Sequence, residues 1–277
     1  MDRKIKDFIL RLILRLVLII ISLAMVIPFL WMITTSFKTS AQIFTWPPEW
    51  IPRPFTWKNY IDATIFFPFF RYLLNTAFIT ICTVIGQLIT CSMGGYAFAR
   101  VRFPGRDALF ILYIATMMIP GQVTIIPVYI LFKWIHWIDT YYAVIVPGLF
   151  SAFGTFLLRQ FFLTIPRELE EAAIIDGCSI GGIYYKIILP LSKPALATLG
   201  IFTFMGAWNS FFWPLIVLNS QERMTLSVGL ALFVGPFETT FNTLMAASTL
   251  VLLPVILAYI FAQGYFVKGI TLSGLKG

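Results

Sequence analysis

Six stretches of this chain carry no charged residue: 16–37, 72–99, 108–132, 140–158, 194–221 and 239–267. Each is 19 residues or longer, and about 20 apolar residues take an α-helix across the hydrocarbon of a bilayer. The pattern predicts an all-α membrane protein with about six transmembrane helices, near 12–35, 72–99, 108–132, 140–160, 194–219 and 242–266, in a single transmembrane domain over 1–277. Only 12% of the residues are charged, against about 25% in a soluble globular domain. So few charges cannot cover a water-facing surface of this size. The 28 Phe suit lipid contact. The 8 Trp and 11 Tyr suit the headgroup level, where amphipathic rings sit well.

The first run follows Arg3, Lys4, Lys6, Arg11 and Arg15, a flank that a cleaved signal peptide would share. The run is too long for one, and Pro28, Trp31 and Phe37 stand where a small-residue cleavage site would. A retained helix is expected. Lysines and arginines concentrate in cytoplasmic segments. With the N-terminus inside, 14 of the 20 fall inside, including Arg100, Arg102, Arg106, Arg159, Arg167, Lys186, Lys193, Lys268 and Lys276. Both termini are then cytoplasmic, and so is the 35-residue segment 159–193. The net charge of +8 reads as this topology signal rather than as a nucleic-acid footprint. Outside, 38–71 contains Trp46-Pro47-Pro48-Glu49-Trp50 and Pro52-Arg53-Pro54, which cannot be helix interior. An irregular cap is expected there, either lying on the outer membrane face or touching an external partner.

Chemistry inside the membrane is sparse. No span holds a charged residue, which argues against a proton- or sodium-coupled pump. His136 is the only histidine, and Cys82, Cys91 and Cys178 have no zinc spacing. Cys82 and Cys91 lie about 13 Å apart along one helix, too far for a disulfide. No metal site and no catalytic set is expected. Pro120-Gly121, Pro127, Pro147-Gly148, Pro214 and Pro254 interrupt the spans. Each proline removes a helix hydrogen bond and bends the helix, so these positions either kink the bundle or shape a pathway that opens and closes. In the fifth span, Trp208, Asn209 and Trp213 join aromatic faces to an amide. That pairing suits a neutral sugar ring; packing of Asn209 against another helix is the alternative. Gly94-Gly95 suits close helix packing.

The segment from 164 to 194 reads as two short helices joined by a turn. Pro166 suits a first helical position, and Glu168, Glu170 and Glu171 follow where the helix dipole favours carboxylates. Gly177 is the stop and Ser179 the cap of the second helix. Lys186 falls in the last turn of that helix and Pro190 ends it. Ile174, Ile175, Ile180, Ile183, Tyr184, Ile187 and Ile188 are too many apolar residues for a solvated linker. They need this chain's own helix ends, the interface or another protein to pack on.

Glu171-Ala172-Ala173, Asp176-Gly177, then Leu189-Pro190 and Pro194 resemble the "EAA" loop of permease subunits in binding-protein-dependent ABC importers. Cys178 stands where that family commonly has alanine. The likeness extends along the chain. Asn75-Thr76 with Tyr96-Ala97-Phe98-Ala99-Arg100, Met117-Met118-Ile119-Pro120-Gly121-Gln122, Trp208-Asn209 and Trp213-Pro214 are similar to the carbohydrate branch. The ending from Phe266 to Thr271, closing on Gly274-Leu275-Lys276-Gly277, resembles the second permease of maltose-type and multiple-sugar-type systems.

The resemblance implies a bacterial or archaeal cytoplasmic (inner) membrane and a second homologous permease. It also implies two ATP-binding cassette subunits and an extracytoplasmic solute-binding protein. A short coupling helix would seat on a nucleotide-binding subunit, with Glu171, Ala172, Ala173, Asp176, Gly177, Ser179 and Pro190 carrying the coupling. No Gly-rich loop ending in Gly-Lys-Ser/Thr is present. ATP and Mg are therefore expected on partner subunits, and this chain is expected to be no enzyme and to bind no cofactor. The same architecture importing a glycerol phosphate ester, polyamine or peptide is the alternative. A stand-alone secondary transporter gives no reason for the apolar hairpin.

Overall fold

The computed structural model describes residues 3–234 and 240–273, with side chains from Asp7 onward to Phe261 and at Gln263. Arg3, Lys4, Lys6 and the motif from Phe266 to Gly277 lie outside the described side chains. Every regular element described is helical. Two compact units are present: Met1–Phe69 with Leu230–Leu253, and Phe70–Gly229 with Pro254–Gly277.

The first unit opens with α1 (Arg3–Ser36), whose apolar window within Asp7–Ser36 has no buried residue. Its end is tied to the segment expected to be irregular. That segment holds a short helix, α2 (Ser40–Ile43), and a nine-residue one, α3 (Lys58–Phe66). The prolines at 47, 48, 52 and 54 all precede α3, so helix was free to form after them. Asn59 on α3 donates to the carbonyls of Ser36 and Lys38, both at 2.8 Å. The hydroxyls of Ser36 and Tyr60 meet at 2.7 Å. Phe37 stacks on Phe55 at 4.2 Å. Lys38 is fully buried, its Nζ 3.7 Å over the Trp31 ring. Burial pushes its pKa down, and the Glu49 carboxylate offsets only part of that.

The second unit is built on α4 (Phe69–Arg100), a 32-residue helix without a proline. The expected third span is not one helix. It consists of α5 (Arg106–Ala115), a 3-10 turn at Thr116–Met118, and α6 (Gly121–Trp134), with a 99° bend between the two halves. Pro120 cannot donate, and the chain turns there. The fourth span is α7 (Tyr142–Gly148) and α8 (Ala152–Thr164), interrupted at Leu149–Ser151. The hairpin follows as α9 (Glu168–Ile175), α10 (Ile180–Ile183), a π-turn at Tyr184–Ile188 and α11 (Leu189–Leu191). The limb ends at Leu191, one residue past Pro190. Pro190 lies in the last turn of the continuous path from Ile180 to Leu191, and a proline there blocks its further extension. The limb then meets α12 (Lys193–Trp208) at 78°. The fifth span is completed by α13 (Phe212–Val217). After α14 (Leu226–Ala231), α15 (Phe241–Ser273) runs through Leu253 and Pro254.

Small residues set the approach of α4 to the fourth span. A Cβ at Gly95 would meet Leu158 Cβ and the Arg159 backbone nitrogen at 3.1 Å. One at Gly148 would come within 2.7 Å of Thr83, and one at Gly154 within 2.9 Å of Cys91 Sγ. Close backbone approach through small residues is how membrane helices gain packing without a hydrophobic drive. At the opposite end of this unit, Asp139 (φ 60°) pins the 218–223 loop. Its carboxylate accepts from the backbone amides of Asn219 and Ser220, the Ser220 hydroxyl and the Arg223 guanidinium. Partial burial opposes ionisation of Asp139, but these donors outweigh it and hold the carboxyl below its usual range.

Candidate functional site

Two places in the second unit gather functional side chains: the hairpin and a pair of clefts at the helix breaks. The hairpin turn is a Schellman motif. The Cys178 N–H donates to the Ala173 carbonyl at 2.9 Å and the Gly177 N–H to Ile174 at 3.0 Å. Gly177 is left-handed, with φ 78°, and nothing lies within 4 Å of where its Cβ would be. Backbone conformation, rather than crowding, demands glycine there. Ser179 caps α10 by accepting from the Gly182 N–H at 3.2 Å.

The hairpin's apolar residues divide into two sets. Ala173, Ile183, Tyr184 and Ile188 are buried in one cluster with Cys91, Tyr96 and Ala99 of α4, Leu158 and Phe162 of α8, and Ala195 and Leu199 of α12. Ile174, Ile175, Ile180 and Tyr185 instead stand 60–85% exposed. Glu171, Ala172 and Asp176 are exposed beside them. One face of the hairpin therefore holds the span ends and the other presents uncovered apolar surface next to carboxylates.

The clefts lie on either side of Trp213. The first, of about 490 Å³, is lined by Thr83, Gln87, Ser151, Thr203 and Ser210 among Phe150, Phe153, Phe202 and Trp213. The second, of about 550 Å³, is lined by Gln122, Thr124 and Ser210 with Phe211, Phe212 and Trp213. Neither is lined by a charged residue. Of the three aromatic-and-amide positions in the fifth span, Trp213 alone lines the clefts. Trp208 is buried, stacked on Phe204 at 5.5 Å. Asn209 is exposed and donates back to the Met205 carbonyl at 2.9 Å, closing the end of α12.

The breaks in the fourth and fifth spans receive donors from side chains elsewhere. Pro147 has no N–H for the carbonyl four residues earlier, that of Ala143. The indole Nε1 of Trp213 donates to that carbonyl at 2.9 Å. At the fourth-span break, Thr90 Oγ1 of α4 donates to the Leu149 carbonyl, and Cys91 Sγ lies 3.4 Å from the Ser151 carbonyl. Ser227 reaches the Trp208 carbonyl at 3.3 Å. With no water in hydrocarbon, freed backbone groups need such donors. Nothing in the sequence around Thr83, Gln87, Thr203 or Ser210 marks them as cleft residues; only the breaks bring them together.

This architecture defines a polytopic helical membrane protein with two clefts free of charged lining residues and a hairpin that leaves an apolar face exposed. Residues 90–272 match the family described as binding-protein-dependent transport system inner membrane component. The chain is 36% identical over 258 residues to an arabinooligosaccharides transport system permease protein of Halalkalibacterium halodurans, covering 91% of each. It is 30% identical over 266 residues to a diacetylchitobiose uptake system permease protein of Streptomyces coelicolor, covering 94% of this chain and 95% of that one. It is 34% identical over 237 residues to an sn-glycerol-3-phosphate transport system permease protein of Pectobacterium atrosepticum, covering 83% and 84%. Its fold matches a chain of a bacterial ABC transporter involved in import of the acidic polysaccharide alginate, with TM-score 0.86 at 24% identity over 96% of this chain and 99% of that one. The chain belongs to the binding-protein-dependent transport system inner membrane component family. It is a multi-pass permease subunit of an ABC importer.

Proposed function

We propose that this subunit passes a neutral sugar or oligosaccharide across the inner membrane together with a second, homologous permease. In this reading the hairpin faces the cytoplasm, as do both termini. Its exposed face docks on one of two ATP-binding cassette subunits, which bind ATP and Mg. A solute-binding protein delivers the solute from outside. The observation that carries the solute class is the lining of the two clefts: ring faces, hydroxyls and carboxamides without a single charge. Sugar C–H faces stack on aromatic rings and sugar hydroxyls exchange hydrogen bonds with Gln87, Thr203 and Ser210. A phosphate ester would meet no countercharge there.

Docking is supported by the exposed Ile174, Ile175, Ile180 and Tyr185. Covering a side chain of this size stabilises by about 1.5–3 kcal/mol. Glu171, Ala172 and Asp176 border the face, and small Ala172 permits close approach. Ala173, Ser179 and Pro190 act inside the hairpin, shaping the turn and the return limb.

Two measurements test this. Gly177→Asp forces a side chain into left-handed backbone, at about 1–2 kcal/mol, and adds a carboxylate beside Asp176. Uptake by whole cells should be lost while the subunit still inserts; transport at the wild-type rate would sink the docking role. Calorimetric titration of the partner binding protein should give heat with neutral oligosaccharides and none with glycerol 3-phosphate. The reverse result selects the phosphate-ester reading, which the glycerol-phosphate relative favours.

A further inference from the structure

Arg100, the last residue of α4, has a side chain only 3% exposed. A guanidinium cannot shed its charge, and a buried charge is tolerated only when paired and hydrogen-bonded. Its Nε lies 3.0 Å from Oε1 of Glu170, itself 14% exposed, in the first turn of α9. The two atoms lack hydrogen-bond alignment, so charge holds this contact. Nη2 of the same guanidinium donates to the carbonyls of Phe162 and Ile165, at the end of α8. Those carbonyls are at the negative end of a helix dipole, which favours a cation.

One side chain of the second span therefore grips both sides of the elbow at 165–167, where the fourth span turns into the hairpin. The return limb is tied to the same helix two turns earlier, where the hydroxyls of Ser92 and Tyr184 meet at 2.7 Å. Sequence connectivity would have the hairpin move the fourth and fifth spans, to which it is joined. The contacts attach it as firmly to α4, to which it is not.

We propose that Arg100, through Glu170, is a positioning residue for coupling: it clamps the hairpin to α4 so that displacement of the hairpin is handed directly to the second span. This rests on the hairpin being the docking surface. With the clamp released, the hairpin swivels about the Pro166 elbow and displacement is lost as rotation. The partner ATPase still docks and still turns over, but less of each cycle reaches the pathway.

The test uses the complete complex with its binding protein in proteoliposomes, measuring uptake and ATP hydrolysis in the same vesicles. A photoreactive leucine analogue in place of Ile175, which is 85% exposed and already large and apolar, reports docking. Glu170→Gln keeps the shape and removes the charge. Arg100→Lys keeps the charge and removes the fork. Both should raise ATP hydrolysed per solute imported by about fivefold or more, with assembly and photocross-linking to the ATPase at wild-type levels. The double variant should be no worse than the more severe single, as expected for partners in one contact. Should Arg100→Lys fail to assemble, Glu170→Gln alone decides. An unchanged ratio in Glu170→Gln with cross-linking intact overturns the clamp and leaves the docking reading standing. Loss of assembly in both variants also overturns it, since the pair would then be structural only. An otherwise wild-type complex with no cross-link from position 175 overturns the docking reading, and the clamp with it.

Discussion

Helix α4 runs 32 residues without a break, whereas the fifth span stops at Trp208, turns through Asn209–Phe211 and restarts at Phe212 as α13. The contrast extends to bonding. α4 keeps its backbone ladder and lends side-chain donors outward: Thr90 to the fourth-span break, Asn75 to the carbonyls of Glu222 and Met224, Arg100 to the end of α8. The broken spans give up ladder bonds near their middles and take donors from elsewhere. An unbroken helix can carry displacement from one end to the other. A broken one can expose hydroxyls and amides to a solute. The unbroken α4 also lends Thr83 and Gln87 to the first cleft, most of whose remaining lining comes from the broken spans.

Substitutions that make either kind of span behave like the other sharpen this division. The largest effect is expected at Gly95, where any side chain meets backbone of the fourth span at 3.1 Å. Gly95→Val adds three carbons in that gap and overpacks it by about 1–3 kcal/mol or more. The subunit should fail to elute as a monodisperse complex after detergent extraction, and normal elution would remove close packing from the account. Trp213→Phe keeps a ring in the wall but takes away the donor to Ala143. A carbonyl left unsatisfied costs about 1–3 kcal/mol, so the thermal midpoint of the complex should drop and uptake fall. A stability equal to wild type would mean the indole bond adds nothing. Thr90→Val is the mildest. The bond to the Leu149 carbonyl is only partly buried, so its loss exposes little that is fully desolvated. The expected loss is about 0.5–1.5 kcal/mol, read as a small midpoint shift with uptake unchanged. A loss larger than that of Trp213→Phe would make the donor from α4 the main support of the fourth-span break.

Much of this was legible in one dimension, and the failures are informative. Uncharged runs point to apolar helices because lipid tolerates so few charges, and among the described residues four helices are long and apolar enough to cross a membrane, or up to six with each bent pair taken as one span. Gly177 and Ser179 announced the hairpin turn because caps and left-handed backbone have local chemistry. The outer loop was misread over Lys58–Phe66, where the prolines upstream overshadowed a short helix. Pro190 reads as a terminus, and the limb ends one residue beyond it, at Leu191. Breaks were expected at prolines, but the fourth span parts two residues after Pro147, at Leu149–Ser151, because a kink needs donors and these come from α4. The pairing of Arg100 with Glu170 had no local signal at all. The two are 70 positions apart, and only packing of α4 against the hairpin makes them neighbours.

The indole of Trp213 has one further consequence. It occupies a vacancy that proline created, and a vacancy of that kind can also be filled by solvent. When the cleft is dry, Nε1 closes the account of Ala143; when it floods, a water molecule can donate in its place at little enthalpic loss. The fourth and fifth spans can then part without either stranding a backbone group in the membrane.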